Sequence, residues 1–322
     1  MSSIPNPSAI AKVPEATHRP KWSVMIPTFN CANYLCQTLE SVLSQYPGPK
    51  QMQIEVVDDC STKDNPEEVV REVGKGRVQF HRKPKNAGAI ANFNTCIERS
   101  RGELVHILHG DDWVSQGFYA AVEAAAENHP EVSAIFARSF ITNADGVISG
   151  VSGQLDHLQA PSKNYGSMLY GNDIRTPGVV VRRTFYECHG GFCPELVHVA
   201  DWEMWLRVIR LEGAISLSDV LAYYRFFPDN DTGKLAKTAE NLRDYLRLAE
   251  FLSASDPDFN YNRFRRIVSF KADEQRKRFE TLGDHDATVA NRNLWLELNP
   301  PTPWYRKLAA AVRAFKNSLK SR

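Results

Sequence analysis

The fold follows from the stretch WSVMIPTFN, residues 22–30. Its first part, 22–26, is a mostly apolar run of the length of a buried strand. After the turn Pro27-Thr28-Phe29-Asn30, apolar residues recur at helical spacing, and Asn30 is a candidate N-cap. These apolar residues are Leu35, Leu39, Val42, Leu43 and Tyr46. A strand that leads through a short turn into a helix begins a β-α-β unit.

The same alternation of strand and helix patterns continues to residue 138. Further strands are predicted at 53–57, 77–81, 104–108 and 132–137. This order predicts an α/β domain with a mostly parallel sheet. Residues 146–175 are rich in Gly, Ser and Asn, as in a loop near a binding site. Two later strands are predicted at 178–181 and 220–227, with a helix at 201–211 between them.

Strand patterns stop at residue 234. Helices are predicted at 235–252, 259–282, 287–298 and 304–319, with breaks at Asp256-Pro257, Gly283 and Pro300-Pro301. The charge changes with the structure, because residues 234–322 carry +7 and the preceding residues −6. We therefore predict a disordered, proline-rich leader at 1–20, an α/β domain at 21–232 and a helical region at 233–322.

The composition is typical of a globular chain, with 43% hydrophobic and 24% charged residues. This excludes disordered, collagen-like and disulfide-stapled classes of protein. No run approaches the ~20 apolar residues of a membrane-spanning helix, and the first 20 residues lack the apolar segment of a secretory signal. The six cysteines show no C-x2-C step of a structural zinc site. We expect a cytoplasmic protein with reduced thiols.

Two acidic pairs follow predicted strands. Asp58-Asp59 closes the second strand and Asp111-Asp112 follows the fourth. The carboxyl ends of parallel strands meet at one sheet edge, where ligands bind, and crowded carboxylates need a cation or hydrogen-bond donors. The G-x-G-x-x-G and G-x-x-x-x-G-K-[ST] motifs are absent, which argues against ordinary NAD and ATP sites. Asp111-Asp112 suits Mg²⁺ or Mn²⁺ with bound phosphate oxygens.

Other polar residues near these positions are less informative on their own. His106 and His109 are expected to be packed or solvated, because a three-residue spacing on a strand points them to opposite faces. Asp201 begins the predicted helix at 201–211, where an N-cap explains it. Glu203 and Arg207 are spaced to pair on that helix.

Five segments, taken in order, resemble the motifs of family 2 glycosyltransferases with the GT-A fold. They are VMIPTFN at 24–30, VVDDCST at 56–62, NAGAIANFN at 86–94, HGDDW at 109–113 and DWEMWLR at 201–207. The resemblance covers about residues 21–228. It implies a nucleotide-sugar-binding domain at 21–232 that transfers a sugar, with inversion, from a nucleoside diphosphate to a hydroxyl of a glycan or lipid-linked acceptor, as in cell-surface polysaccharide synthesis.

The resemblance also implies site residues. Asp201 matches the general base. Asp112 matches the ligand of a Mg²⁺ or Mn²⁺ ion, and Asp111 either binds the same ion or faces the ribose or sugar. Asp59 would hydrogen-bond the nucleotide base of the donor, while Asp58 would support the loop that carries Asp59 or contact the ribose. The remaining donor-binding positions are Pro27, Thr28, Phe29, Asn86, Gly88 and Arg225.

Three positions depart from the family pattern. Ala200 stands where an acidic residue often precedes the base, Phe93 where Arg is frequent, and Phe227 where His is common. A non-catalytic nucleotide-sugar-binding or membrane-scaffold protein of the same fold is therefore one alternative, although Asp112 and Asp201 are retained. A nucleotidyltransferase is another, but it would have a Gly-rich phosphate loop and a lysine in place of Pro27-Thr28-Phe29-Asn30.

The predicted helix at 304–319 is basic and amphipathic. Its apolar stripe is Trp304, Leu308, Val312, Phe315 and Leu319, and no acidic residue follows Glu297. Residues 304–322 would lie on an anionic membrane surface, at the inner face of the membrane, or dock on their own domain. No nucleic-acid-binding motif accompanies the charge, so we expect no nucleic-acid partner.

Overall fold

The structure is a computed structural model that describes residues 7–15, 17–227 and 231–300. The chain divides into two compact units, Met1–Asn230 and Asp231–Arg322. The helix predicted at 304–319 lies outside the described residues.

The first unit is built on one sheet. Its strands are β1 Trp22–Thr28, β2 Met52–Asp58, β3 Gln79–Arg82, β4 Leu104–Ile107, β5 Trp113–Val114, β6 Ala134–Thr142, β7 Ile148–Val151, β8 Val179–Arg182 and β9 Ala214–Arg225. Their order is β3-β2-β1-β4-β8-β6-β9-β5, and β7 pairs with β6. Strands β3, β2, β1 and β4 are mutually parallel, whereas β8 is antiparallel to both β4 and β6. The α/β class is confirmed, and the sheet is parallel in its first half and mixed in its second.

Six helices flank this sheet in the described part of the unit. They are α1 Ala32–Leu43, α2 Pro66–Gly74, α3 Ala89–Arg99, α4 Phe118–Asn128, α5 Arg183–His189 and α6 Ala200–Glu212. Every residue of β1 and β2 is buried, as expected for central strands covered on both faces. Helix α1 buries Leu35, Leu39 and Val42, which join the core formed with β1 and β2.

Two strands and one cap differ from the sequence predictions. Strand β5 has two residues, too few to show alternation, and β7 lies in the stretch predicted as a loop. Asn30 was expected to cap α1, but the N-cap is Cys31, and the Ala32 amide donates to the Asp64 carboxylate at 2.8 Å. The hydrogen-bond acceptor for the first amide of α1 therefore comes from a different loop, which the local sequence does not reveal.

The N-terminal segment packs against the first unit. Ile10 is buried, the Gly191 amide donates to the Ser8 carbonyl at 2.7 Å, and the Arg183 guanidinium donates to the Ala11 carbonyl at 3.3 Å. The composition of residues 1–20 predicts a disordered leader, and the described residues 7–15 and 17–20 differ from that expectation. The reason is that an apolar anchor and backbone partners from distant residues are available to it.

The second unit is helical where it is described. Its helices are α7 Asp231–Lys237, α8 Glu240–Ser255, α9 Tyr261–Thr281 and α10 His285–Leu298. Asn260 and Asp284 cap α9 and α10 through their side chains. The breaks predicted at 256–257 and Gly283 are confirmed, whereas the helix predicted at 235–252 is divided at Ala239, whose φ is +58°. None of the described helices combines the length and hydropathy that crossing a membrane requires.

Gly102 allows the chain to approach β1 closely. A Cβ at this position would lie 2.5 Å from the Trp22 carbonyl carbon and 2.6 Å from the Ser23 nitrogen. We therefore expect Gly102→Ala to lower the free energy of unfolding by about 1–3 kcal/mol, because backbone atoms of a central strand must move. Urea unfolding followed by circular dichroism measures this change.

Gly171→Ala is the matched control. A Cβ there would have no neighbour within 4 Å and the residue has no positive φ, so its effect should stay within about 0.5 kcal/mol. Equal stability of the two variants would contradict the close approach.

Candidate active site

The carboxyl ends of β1, β2 and β4 meet at one edge of the sheet, as predicted. Thr28 pairs with Asp58 at the ends of β1 and β2, and the Gly110 amide donates to the Pro27 carbonyl at 3.0 Å. Pro27 and Thr28 are buried, whereas Phe29 is 43% exposed beside them. An exposed phenylalanine at this edge offers an apolar face to a ligand.

Asn30 joins the loops that follow β1 and β2. Its φ is +53°, a conformation that asparagine tolerates better than most residues. Its Oδ1 accepts from the amides of Thr62 and Lys63 at 2.8 and 2.9 Å, and its own amide donates to the Ser61 hydroxyl at 2.8 Å. The two loops therefore form one hydrogen-bonded unit.

Asp58 stabilises the same loops from inside. It is fully buried, its carboxylate accepts from the Ser61 amide and hydroxyl, and Arg82 lies 3.2 Å away. Asp58 therefore supports this loop, which is one of the two roles that the family resemblance implies for it, the other being contact with the ribose.

Asp59 holds the segment that carries Asn86 and Gly88. Its carboxylate accepts from the Ala87 and Gly88 amides at 3.1 and 2.8 Å and pairs with Lys83 at 2.8 Å. Gly88 begins α3 with a φ of +88°, which favours glycine. Asp59 is 2% exposed, so in this structure its oxygens are used by the protein itself.

A turn after β4 carries Asp111 and Asp112. The Asp112 amide donates to the His109 carbonyl at 3.1 Å, and the Thr38 hydroxyl on α1 donates to the Asp112 carbonyl at 2.7 Å. These bonds hold the turn at the edge of the sheet, between β4 and β5.

Arg225, at the end of β9, supports this turn. Its guanidinium donates to the Asp111 carbonyl at 2.9 Å and to Gln37 at 2.6 Å. It also lies over the rings of Tyr34 and Trp113, at 4.3 and 4.7 Å from their centroids. These contacts position the acidic turn, and donor binding by Arg225 stays a prediction.

The Asp112 carboxylate is buried and incompletely satisfied. Its Oδ1 accepts from the Arg225 amide at 2.8 Å, whereas its Oδ2 accepts no hydrogen bond from the described residues. Burial and the neighbouring Asp111 raise the pKa of Asp112 well above its ordinary value, although Arg225 opposes the shift. A buried oxygen of this kind is suited to a cation.

His109 was expected to be packed or solvated; it is packed against Phe93 and also lies beside this carboxylate. Its Nδ1 is 3.6 Å from Asp112 Oδ2, and ligand atoms of His109, Asp111 and Asp112 all lie within 4.8 Å of one another. The alternation argument failed because β4 ends at Ile107, so residue 109 belongs to a turn. His106 is packed, as expected: it contacts Tyr119 and the Pro177 carbonyl, and burial lowers its pKa to about 4.

Asp201 lies in the first turn of α6. Its Oδ1 accepts from the Trp202 amide at 2.6 Å. Burial raises the pKa of Asp201 to about 6, although the Trp202 amide, the Arg175 charge and the Thr176 hydroxyl lower it. Glu203 and Arg207 on the same helix form the predicted pair at 2.8 Å, away from this chemistry.

Tyr224 is influenced by the charges of both acidic groups. Burial raises its pKa above the usual range, and the charges of Asp112, Asp111 and Asp201 contribute to the same shift. All three carboxylates therefore lie within electrostatic range of this phenol. Tyr224 and Arg175 were not among the predicted site residues, although Tyr224 directly precedes Arg225 in the sequence.

The residues at this edge fit a divalent cation. They offer hard carboxylate oxygens and one imidazole nitrogen. The buried Asp112 Oδ2 accepts no hydrogen bond from the described residues. Asp111 and Asp112 would hold the ion.

The sequence matches a known family model. The model described as Glycosyl transferase family 2 matches residues 23–183, half of the chain. The uncharacterized protein MT1568 of Mycobacterium tuberculosis is 26% identical over 246 residues, which cover 73% of this chain and 76% of that protein.

Two named transferases are similar over shorter regions. The poly(ribitol-phosphate) beta-N-acetylglucosaminyltransferase TarS of Staphylococcus aureus is 26% identical over 173 residues, 49% of this chain and 30% of TarS. The UDP-Glc:alpha-D-GlcNAc-diphosphoundecaprenol beta-1,3-glucosyltransferase WfaP of Escherichia coli is 24% identical over 190 residues, 58% of this chain and 69% of WfaP.

Solved structures share the fold. A crystal structure of S. aureus TarS 1-349 with UDP-GlcNAc has a TM-score of 0.60 at 17% identity and covers 86% of this chain and 79% of that one. The mannosyltransferase PcManGT of Pyrobaculum calidifontis, in complex with GDP-Man and Mn²⁺, has a TM-score of 0.53 at 19% identity and covers 97% and 83%. With its matched motifs, its GT-A-like sheet and its acidic edge, the chain belongs to glycosyl transferase family 2 and is a glycosyltransferase.

Proposed function

We propose that this protein is a metal-dependent, inverting enzyme that transfers a sugar from a nucleoside diphosphate sugar to a hydroxyl of a glycan or lipid-linked acceptor. The observation that carries the proposal is the buried Asp112 Oδ2, which accepts no hydrogen bond from the described residues and belongs to a cluster of His109, Asp111 and Asp112 whose ligand atoms lie within 4.8 Å of one another. The acidic pair suits a cation, and Asp201 in the first turn of α6 offers a carboxylate that suits a proton acceptor.

The donor would bind at the ends of β1 and β2. The exposed ring of Phe29, with Pro27 and Thr28 beneath it, would contact the nucleotide base, and Asn86 and Gly88 would line the same pocket. Asp58 and Asp59 would act mainly by holding the loops that form it. The UDP-GlcNAc and GDP-Man complexes of the structural neighbours support a nucleoside diphosphate sugar as donor.

The leaving group requires charge neutralisation. Mg²⁺ or Mn²⁺ supplies this chemistry when bound, because a divalent ion stabilises the negative charge that develops on phosphate oxygens. Asp112 and Asp111 would hold the ion, and Arg225 keeps both on one rigid turn.

Asp201 is the proposed general base. The acceptor hydroxyl must lose its proton as the new bond forms, and a carboxylate with a pKa near 6 is largely deprotonated at neutral pH and still a useful base. Inversion needs one carboxylate on the face opposite the leaving group, whereas retention by double displacement would need a protein nucleophile as well.

The names of two relatives support the proposed acceptor class. By their names, WfaP acts on a sugar-diphosphoundecaprenol and TarS on poly(ribitol-phosphate), which supports a glycan or lipid-linked acceptor in cell-surface polysaccharide synthesis. We place the enzyme in the cytoplasm, peripheral at the inner face of the membrane. The segment proposed to bind the membrane, 304–322, lies outside the described residues.

The metal prediction is tested with nucleotide and ion together. We expect UDP or GDP to raise the unfolding temperature more with Mn²⁺ than without, because a ligand that binds only the native state stabilises it, by about 2.7 kcal/mol at 100 times its Kd. Asp112→Asn should lose the Mn²⁺-dependent part, since it removes the charge and keeps an oxygen to accept the Arg225 amide.

Glu68→Gln on the surface of α2 is the matched control and should keep the full shift. A Mn²⁺-dependent shift that survives in Asp112→Asn would contradict the metal assignment.

The base prediction is tested by pH. We expect kcat/KM of the wild type to fall below about pH 6 as Asp201 is protonated, and Asp201→Asn to lower turnover about 10² to 10⁴-fold. Radiolabelled transfer from the donor found in the thermal screen measures both.

A stability measurement separates loss of the base from loss of the fold. The folded-state pKa of Asp201 lies above its unfolded value, so its contribution to stability is present at low pH and is lost as the pH rises through about 6. Asp201→Asn cannot ionise and should unfold at a higher temperature than wild type near pH 8, with a smaller difference near pH 4. An inactive variant that is also less stable near pH 8 would count against this assignment.

A further inference from the structure

The turn that carries the acidic pair also carries an imidazole. We propose that His109 is a third protein ligand of the cation, through Nδ1, and that it makes the site prefer Mn²⁺ over Mg²⁺. This inference rests on the proposed metal dependence and extends it to a residue outside the acidic pair.

The separation of the atoms suits a shared ion. Two ligand atoms that each lie about 2.1 Å from one ion are at most about 4.2 Å apart. The distance of 3.6 Å between His109 Nδ1 and Asp112 Oδ2 meets this limit without movement of either side chain. Asp112 Oδ2 is also the buried oxygen that accepts no hydrogen bond from the described residues.

The backbone brings residues 109 and 112 to the same side of the turn. The Asp112 amide donates to the His109 carbonyl, which closes the turn, and the Thr38 hydroxyl holds its far end. The two side chains are therefore placed by backbone geometry and need not be ordered by the ion.

The imidazole plane is set by aromatic packing. The ring of Phe93 on α3 stacks on His109 with centroids 4.9 Å apart and planes 13° from parallel, and Phe192 packs edge-on against Phe93 at 5.5 Å. Phe93 is one of the three departures from the family pattern, so this departure has a function in the proposal: it orients the ring of His109.

A nitrogen ligand changes which ion is favoured. Mg²⁺ prefers oxygen ligands and dehydrates reluctantly, whereas a nitrogen ligand added to the carboxylates favours a first-row transition ion such as Mn²⁺ over Mg²⁺. Two carboxylates and one imidazole therefore form a donor set suited to Mn²⁺.

The test uses Mn²⁺ as the probe, with UDP or GDP present. Pulsed electron paramagnetic resonance of the wild-type complex should show coupling of Mn²⁺ to a ¹⁴N nucleus, and His109→Asn should lose it. We expect the Mn²⁺ affinity of His109→Asn to fall at least about 10-fold, the lower end of the loss caused by removing even an outer partner of a metal ligand. Mg²⁺ affinity should change less.

Two further variants complete the test. His109→Asp replaces nitrogen by oxygen and should keep metal binding, lose the ¹⁴N coupling and lower the preference for Mn²⁺ over Mg²⁺. His129→Asn, at the end of α4, removes a histidine paired with Glu131 and should resemble wild type in every reading.

The failures are distinguishable. Mn²⁺ that binds to wild type without ¹⁴N coupling, and equally well to His109→Asn, would overturn the role of His109 and leave the metal-dependent enzyme intact. Absence of any Mn²⁺ binding to folded wild type, with either nucleotide, would overturn both proposals.

Discussion

The acidic turn after β4 depends on one costly feature, the buried carboxylate of Asp112. Burying a charge without full compensation is unfavourable, so the surrounding chain must hold the turn firmly in place. Residues far apart in sequence do this: Thr38 from α1, Arg225 from β9, and the rings of Tyr34 and Trp113 on either side of the guanidinium. The short strand β5 and its pairing with β9 belong to the same arrangement, because they bring Arg225 beneath the turn.

The four carboxylates at this edge divide into two kinds. The carboxylates of Asp58 and Asp59 bind groups of the protein itself. Their oxygens accept hydrogen bonds from backbone amides and the Ser61 hydroxyl in the loops that follow β2 and β3. Asp111 and Asp112 lie on a hydrogen-bonded turn, and the buried Oδ2 of Asp112 accepts no hydrogen bond from the described residues. The first pair holds the loops that follow β2 and β3 in place, and the second concentrates acidic groups on the turn that follows β4. Sequence position alone shows four similar residues, whereas hydrogen bonding separates their roles.

The sequence predicted the features that depend on local periodicity and failed where long-range contacts decide. The first four strands and α6 followed from apolar spacing, and the positions of Asp112 and Asp201 followed from motif order. The alternation argument for His109 assumed a strand at residue 109, whereas β4 ends at Ile107 and His109 lies in the following turn, 3.6 Å from Asp112. The pKa of Asp201 depends on its burial, Trp202, Arg175 and Thr176, which only the folded chain assembles. The docking of the N-terminal segment depends on partners of Ala11 and Val13 that lie more than 170 residues later.

The docking of the N-terminal segment has a consequence for how the protein forms during synthesis. Val13 and Ala11 bond to Glu187 and Arg183, separations of 174 and 172 residues. At about 5–20 residues per second, a ribosome needs roughly 10–35 seconds to produce those partners after the segment itself emerges. Throughout that interval the segment lacks these two partners, so it docks only after residues 183–187 have emerged. During that time it is a stretch that chaperones and proteases meet undocked.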